Sequence, residues 1–117
     1  MANLVNVSLH MMVAFFKEEI KMMYCITKWC KAITDDGKDH YTGRAETLKK
    51  AYFEKYGKQP EVFKFRLLDD DGIIYAYGLS TDNCTEHAFA PLDRYEGEYG
   101  CVSIEYKNPD TGEWEEL

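Results

Sequence analysis

No stretch of this sequence approaches the roughly 18 consecutive apolar residues that a membrane-spanning helix needs, so no such helix is expected. A phosphate-binding P-loop and a glycine-rich dinucleotide fingerprint are both missing, which removes the two commonest nucleotide-binding frameworks. Histidine is scarce, with three in the chain, and so are paired metal-ligand spacings. The four cysteines, Cys25, Cys30, Cys84 and Cys101, lack the dense, regular spacing of a disulfide framework, and the start has no secretory-signal pattern. Reduced thiols in a cytoplasmic protein are expected. Cations are nearly absent from the second half: from Asp69 to Leu117 there are 13 acidic residues against Arg94 and Lys107, a balance of -11.

The 117 residues present suit one domain, long enough to bury roughly two-thirds of its unfolded surface without covalent staples. Hydrophobic residues make up 45% and charged residues 30%, the composition of a globular chain rather than a disordered one. Nine Tyr, six Phe and two Trp supply amphipathic rings, which serve half-buried sheet faces and binding surfaces alike. From Met1 to Leu68 the balance is +4, with 12 basic and 8 acidic residues, so the net charge of -7 hides a polarised chain. An acidic half of this strength repels nucleic acid and attracts basic protein surfaces, although most charge runs are simply solvated faces.

Residues 1–21 have two readings. Leu9, Met12, Phe16 and Ile20 lie near one stripe of an amphipathic helix. Alternatively, codons for Lys17-Glu18-Glu19 can spell a purine-rich ribosome-binding site at the right distance from Met22 and Met23, and residues 1–21 would then be a translated leader. Residues 22–117 form the α+β domain in either case.

Residues 23–33 read as a strand, followed by a break at Asp35-Asp36-Gly37. Residues 43–56 form the main helix: Ala45, Leu48, Tyr52 and Tyr56 recur at helical spacing, Thr42 or Gly43 caps the start, and Gly57 suits the residue after the end. Residues 61–68 alternate, with Phe63, Phe65 and Leu67 on one side and Lys64 and Arg66 on the other. The turn Asp69-Asp70-Asp71-Gly72 joins them to a strand over 73–79. Residues 80–98 read as a long loop containing Pro91. A strand over 100–107, a turn at Asn108–Gly112 and a short strand over 113–117 complete the chain. This order predicts an antiparallel sheet of four to five strands with the main helix laid on one face.

Each candidate for chemistry has a plainer explanation. Cys84 and His87 form a C-x-x-H pair, with His40 elsewhere, but Cys25 and Cys30 are five apart on a strand and point to opposite faces. No metal site is expected. A Cys84 nucleophile with His87 as base lacks an oxyanion element nearby. Asp82, Asp93 and Glu96 offer carboxylates in a pattern no different from an acidic loop. Asp69-Asp70-Asp71-Gly72 fails as a calcium loop, because glycine at position 6 puts Leu67 and Gly78 where ligands are required. The basic set Arg44, Lys49, Lys50, Lys55 and Lys58 offers phosphate contacts, but the acidic half opposes binding of nucleic acid by the whole protein.

The segments FRLLDDDGIIYAYG (65–78), FAPLD (89–93) and GCVSIEYKNPDTGEWEEL (100–117) resemble a type of small acidic protein carried by phages and mobile elements of Gram-positive gut bacteria. The similarity covers about half the chain and rests on turns and strands, so no activity transfers with it residue by residue. The resemblance implies a neighbourhood of accessory proteins in which anti-defence inhibitors, anti-CRISPR proteins among them, are common.

The resulting expectation is a non-enzymatic protein that binds a basic, nucleic-acid-handling partner. Asp69, Asp70, Asp71, Asp93, Glu96 and Glu98 would supply charge, and Tyr95 and Tyr99 anchoring. No cofactor, no membrane partner and no direct nucleic-acid binding are expected. The alternatives are a small-molecule or nucleotide-binding protein that uses the 80–98 loop as a lid over Cys84 and His87, and a structural assembly subunit.

Overall fold

The computed structural model describes residues 22–30 and 42–117. The helix or leader at 1–21, the Asp35-Asp36-Gly37 break and His40 lie outside the described residues. Five strands form one antiparallel sheet: β1 (Tyr24–Trp29), β2 (Phe63–Leu68), β3 (Ile74–Ser80), β4 (Ser103–Lys107) and β5 (Trp114–Glu116), in the order β1-β3-β2-β4-β5. Among the described residues two helices accompany it, α1 (Ala45–Tyr56) and α2 (Ala90–Tyr99), the latter preceded by a single 3₁₀ turn over Glu86–Phe89. The fold is α+β, as the alternating strands and turn residues predict.

The two-residue period of the strands sorts their side chains. Phe65 pairs with Gly78 on one side and Tyr106 on the other, and Leu67 lies between Ala76 and Ile104. These residues share one face of the sheet, and that face is the core: Phe65, Leu67, Ala76, Ile104 and Tyr106 are all buried. Gly78 is required there, because a Cβ at that position would lie 2.2 Å from the Phe65 ring and 2.5 Å from the Cys25 carbonyl oxygen. The glycine leaves a hollow that the Phe65 ring fills.

The helix that covers this face lies inside the segment whose composition reads as a loop. Ala88 and Leu92 belong to the same buried cluster as Phe65 and Ile104, and the buried Tyr106 hydroxyl donates to the Ala88 carbonyl at 2.8 Å. Pro91 does not break α2. It sits in the first turn, where its missing N–H is one the helix would not have used. Gly100 ends α2 in the left-handed region (φ 78°), and its N–H bonds the Glu96 carbonyl.

α1 is present with Leu48 and Tyr52 buried and Gly57 as its left-handed terminator. Arg44, rather than Thr42 or Gly43, occupies the position before the helix, and it makes no side-chain cap. The two buried residues of α1 stand outside the sheet's core cluster. Its lead-in is tied to the outer border of β1, where the Gly43 N–H donates to the Ile26 carbonyl at 2.7 Å. Among the described residues, no helix is long and apolar enough to cross a membrane.

Candidate functional site: two charged surfaces on opposite sides of the sheet

The acidic residues do not act alike. Asp69 opens the β2–β3 turn, and its Oδ1 accepts the N–H groups of Asp71 and Ile73, both at 2.9 Å. Its Oδ2 accepts from the Tyr75 hydroxyl at 3.3 Å. Burial first, and then this neighbouring carboxylate, push the Tyr75 phenol up. The carboxylate of Asp69 is therefore committed to holding the turn, whereas Asp70 and Asp71 project into solvent. The three carboxylates approach within 4.8 Å of one another, as a tight three-residue turn requires.

Asp93, Glu96 and Glu98 are exposed on α2. Asp93 and Glu96, three residues apart, are neighbours on the helix surface. Arg94 is the one cation of this helix, and it pairs with Glu98 at 3.2 Å. The end of α2 runs into β4, where the Val102 N–H donates to the Leu68 carbonyl immediately before the β2–β3 turn. Asp70 and Asp71 thus stand at the same end of the sheet as Glu96. Cys101 lies between them, buried, its thiol pushed up by desolvation and then by Glu96.

Tyr95 and Tyr99 are half-buried. The Trp29 ring meets Tyr95 edge-on at 5.3 Å and Tyr99 at a tilt, also at 5.3 Å. Burial pushes the Tyr95 phenol up. These rings bind α2 to β1, so the acidic residues of the helix are displayed from a fixed platform, and only the outer parts of the rings face solvent.

The Cys84–His87 pair has a different environment from a covered lid site. Asp82 organises the segment: its Oδ1 accepts the N–H groups of Cys84 and Thr85 at 3.0 Å, and its Oδ2 accepts from the Thr85 hydroxyl. The Thr85 hydroxyl oxygen in turn accepts the His87 N–H at 3.2 Å. Cys84 is exposed at the rim of a groove of about 480 Å³ lined also by Asn83, Tyr106, Asn108 and Leu117, and His87 is not among the residues lining that groove. The segment read as a lid is a turn and a helix packed on the sheet.

The opposite face of the sheet carries the other sign of charge. One cross-strand row runs Lys28, Tyr77, Arg66, Glu105, Glu116 from β1 to β5. Beside it stand Lys64 on β2 and Lys107 on β4, the latter paired with Trp114. Arg66 bonds Glu105 at 2.6 Å and stacks 4.5 Å from the centre of the Trp114 ring. Among the described residues, Lys28, Lys64 and Lys107 have no carboxylate partner. The alternation of residues 61–68 puts Lys64 and Arg66 on the wet side, but the row they complete depends on strand order, which the sequence does not display.

The molecule therefore belongs to the class of two-layer α+β proteins in which an antiparallel sheet is covered by helix on one face. Compared with known proteins, the chain matches no family model, no curated protein and no solved structure.

Proposed function

We propose that this protein is a non-enzymatic inhibitor that binds a basic, nucleic-acid-handling partner through the acidic surface of α2 and the β2–β3 turn. The observation that carries the reading is the exposure of Asp70 and Asp71 on the turn and of Glu96 on α2 at one end of the sheet, with Asp93 extending the acidic surface back along the helix. Only one cation stands on that helix, and Glu98 already holds it. A surface of this kind competes with a phosphate backbone for a Lys/Arg-lined groove. Its rigid backing by Trp29, Tyr95 and Tyr99 limits the ordering cost on binding. The partner would be met in the cytoplasm, in the anti-defence setting that the resemblance implies.

The test is capture of partners from a bacterial lysate at low and high salt, using the native chain and a variant carrying Asp70→Lys, Asp71→Lys, Asp93→Lys and Glu96→Lys. The expected captured proteins are nucleic-acid-binding, are displaced by added DNA, and are lost both at high salt and with the reversed variant. Capture indifferent to salt, DNA and charge reversal removes the proposal.

A further inference from the structure

The sheet face turned away from α2 has no role in the acidic reading and carries a second set of chemistry. Its centre is a groove of about 400 Å³ lined by Lys28, Lys64, Lys107, Tyr77 and Trp114, with Thr27 at the β1 side. None of the residues lining it comes from α1 or α2. Three of its cations lack a carboxylate partner, Lys107 lying 6.0 Å from the centre of the Trp114 ring, whereas Arg66 is paired with Glu105 and lies 4.5 Å from the centre of that ring. Tyr77 and Trp114 sit 6.0 Å apart at a tilt of 57°, so their ring faces are not stacked on each other.

We propose that this face binds single-stranded nucleic acid, with bases packed against Tyr77 and Trp114 and phosphates held by Lys28, Lys64 and Lys107. Two complementarities select this occupant. The unpaired cations demand a polyanion. They stand on β1, β2 and β4, and because β3 lies between β1 and β2 the outermost two are three strand spacings apart, about 14 Å, which is a run of two to three nucleotides rather than one phosphate. The aromatic rings between them demand flat apolar partners, which an acidic peptide does not supply and which a duplex keeps stacked inside itself. The net charge of -7 argues against nucleic-acid binding only for the molecule taken as a whole, since its excess acid is displayed largely on the helix side and at the turns. The face is independent of the acidic surface proposed above, so either can fail alone.

The experiment is fluorescence anisotropy of the full chain with labelled ten-nucleotide oligo-dT and oligo-U, a duplex of the same length, and a polyglutamate peptide as the anion without bases. The expected result is single-strand binding in the micromolar range, with a log–log salt slope of about -2 for three phosphate contacts. Tyr77→Ala should weaken binding about tenfold or more. Because that change can also loosen the sheet, the exposed pair Lys28→Glu and Lys64→Glu serves as the second variant and should abolish binding while leaving the circular dichroism spectrum unchanged. No binding to single strands at low salt overturns the proposal. So does equal affinity for the duplex or for polyglutamate, and so does binding untouched by the lysine reversals. Sedimentation showing a dimer that the lysine reversals dissociate would assign the face to a second copy and overturn it as well.

Discussion

Asp69 and its two neighbours share a side-chain chemistry and differ in what surrounds it. Asp69 accepts two backbone N–H groups and the Tyr75 hydroxyl, while Asp70 and Asp71 are exposed. Replacing Asp69 by alanine leaves those donors to find new partners and is expected to lower stability by about 1–2 kcal/mol. The same change at Asp70 or Asp71 is expected to stay within about 0.5 kcal/mol. Urea denaturation of the three variants checks this, and equal losses at all three would contradict the assignment of Asp69 to the turn. The distinction matters for the proposed binding surface, since Asp70 and Asp71 could meet a partner without competing against the fold. Sequence shows three adjacent carboxylates and a glycine. It does not show which of the three turns back, because that depends on where β3 places Tyr75.

Among the elements, the segment from Thr81 to Tyr99 carries the most masked helical signal and is the one that closes the core. Its helical signal is present: Ala88, Leu92, Tyr95 and Tyr99 recur at helical spacing and all turn inward. Pro91, Gly97 and the acidic residues between them obscure it, since local propensity counts each against a helix, whereas Pro91 occupies a first-turn position where it costs nothing. Gly97 is a genuine weakness, with open space where a Cβ would be. Gly97→Ala is expected to stabilise the protein by about 0.5–1 kcal/mol, read as a rise in thermal midpoint of a few degrees. A fall would mean that the helix needs that glycine. By contrast, the strands and the β2–β3 and β4–β5 turns follow from alternation and turn residues alone, and α1 follows from its periodicity. What could not follow is that α1 leaves the sheet to α2, because amphipathic stripes of similar strength do not say which partner they meet.

The same segment carries a pH dependence. Burial raises the Asp82 carboxyl, but hydrogen bonds from the Thr85 hydroxyl and from the N–H groups of Thr85 and Cys84 outweigh it and leave the group below its ordinary value. A carboxylate depressed on folding stabilises the protein above its unfolded pKa, and that contribution drains away as pH falls through the lower folded value. Stability is therefore expected to decline from about pH 4 downward, and Asp82→Asn should flatten that part of the profile. Denaturant midpoints measured from pH 6 to pH 2 test it, and parallel profiles for the two proteins would exclude Asp82 as a source.

At the scale of the whole molecule, the sheet works as a partition. Asp93, Glu96 and Glu98 look outward from the helix layer, and Lys28, Lys64 and Lys107 from the opposite face of the sheet. The buried layer around Phe65 and Leu67 lies between these two sets, although Glu105 and Glu116 stand in the same row as Lys28 and Arg66. The acidic half and basic half of the sequence do not map simply onto this division, since Lys107 comes from the acidic half and Lys28 and Lys64 from the basic one. Linear charge counts point to an acidic half and do not display the cationic row, because strand pairing gathers residues that lie far apart along the chain.

The borders of the sheet have their own consequence. β5 is three residues long and ends in Glu115 and Glu116, and the outer side of β1 is bonded by Gly43. A passing strand finds like charge and little length at one margin and an occupied carbonyl at the other. Crowded solutions of the protein should therefore resist templated fibre growth, even though its strands are rich in aromatic and branched residues.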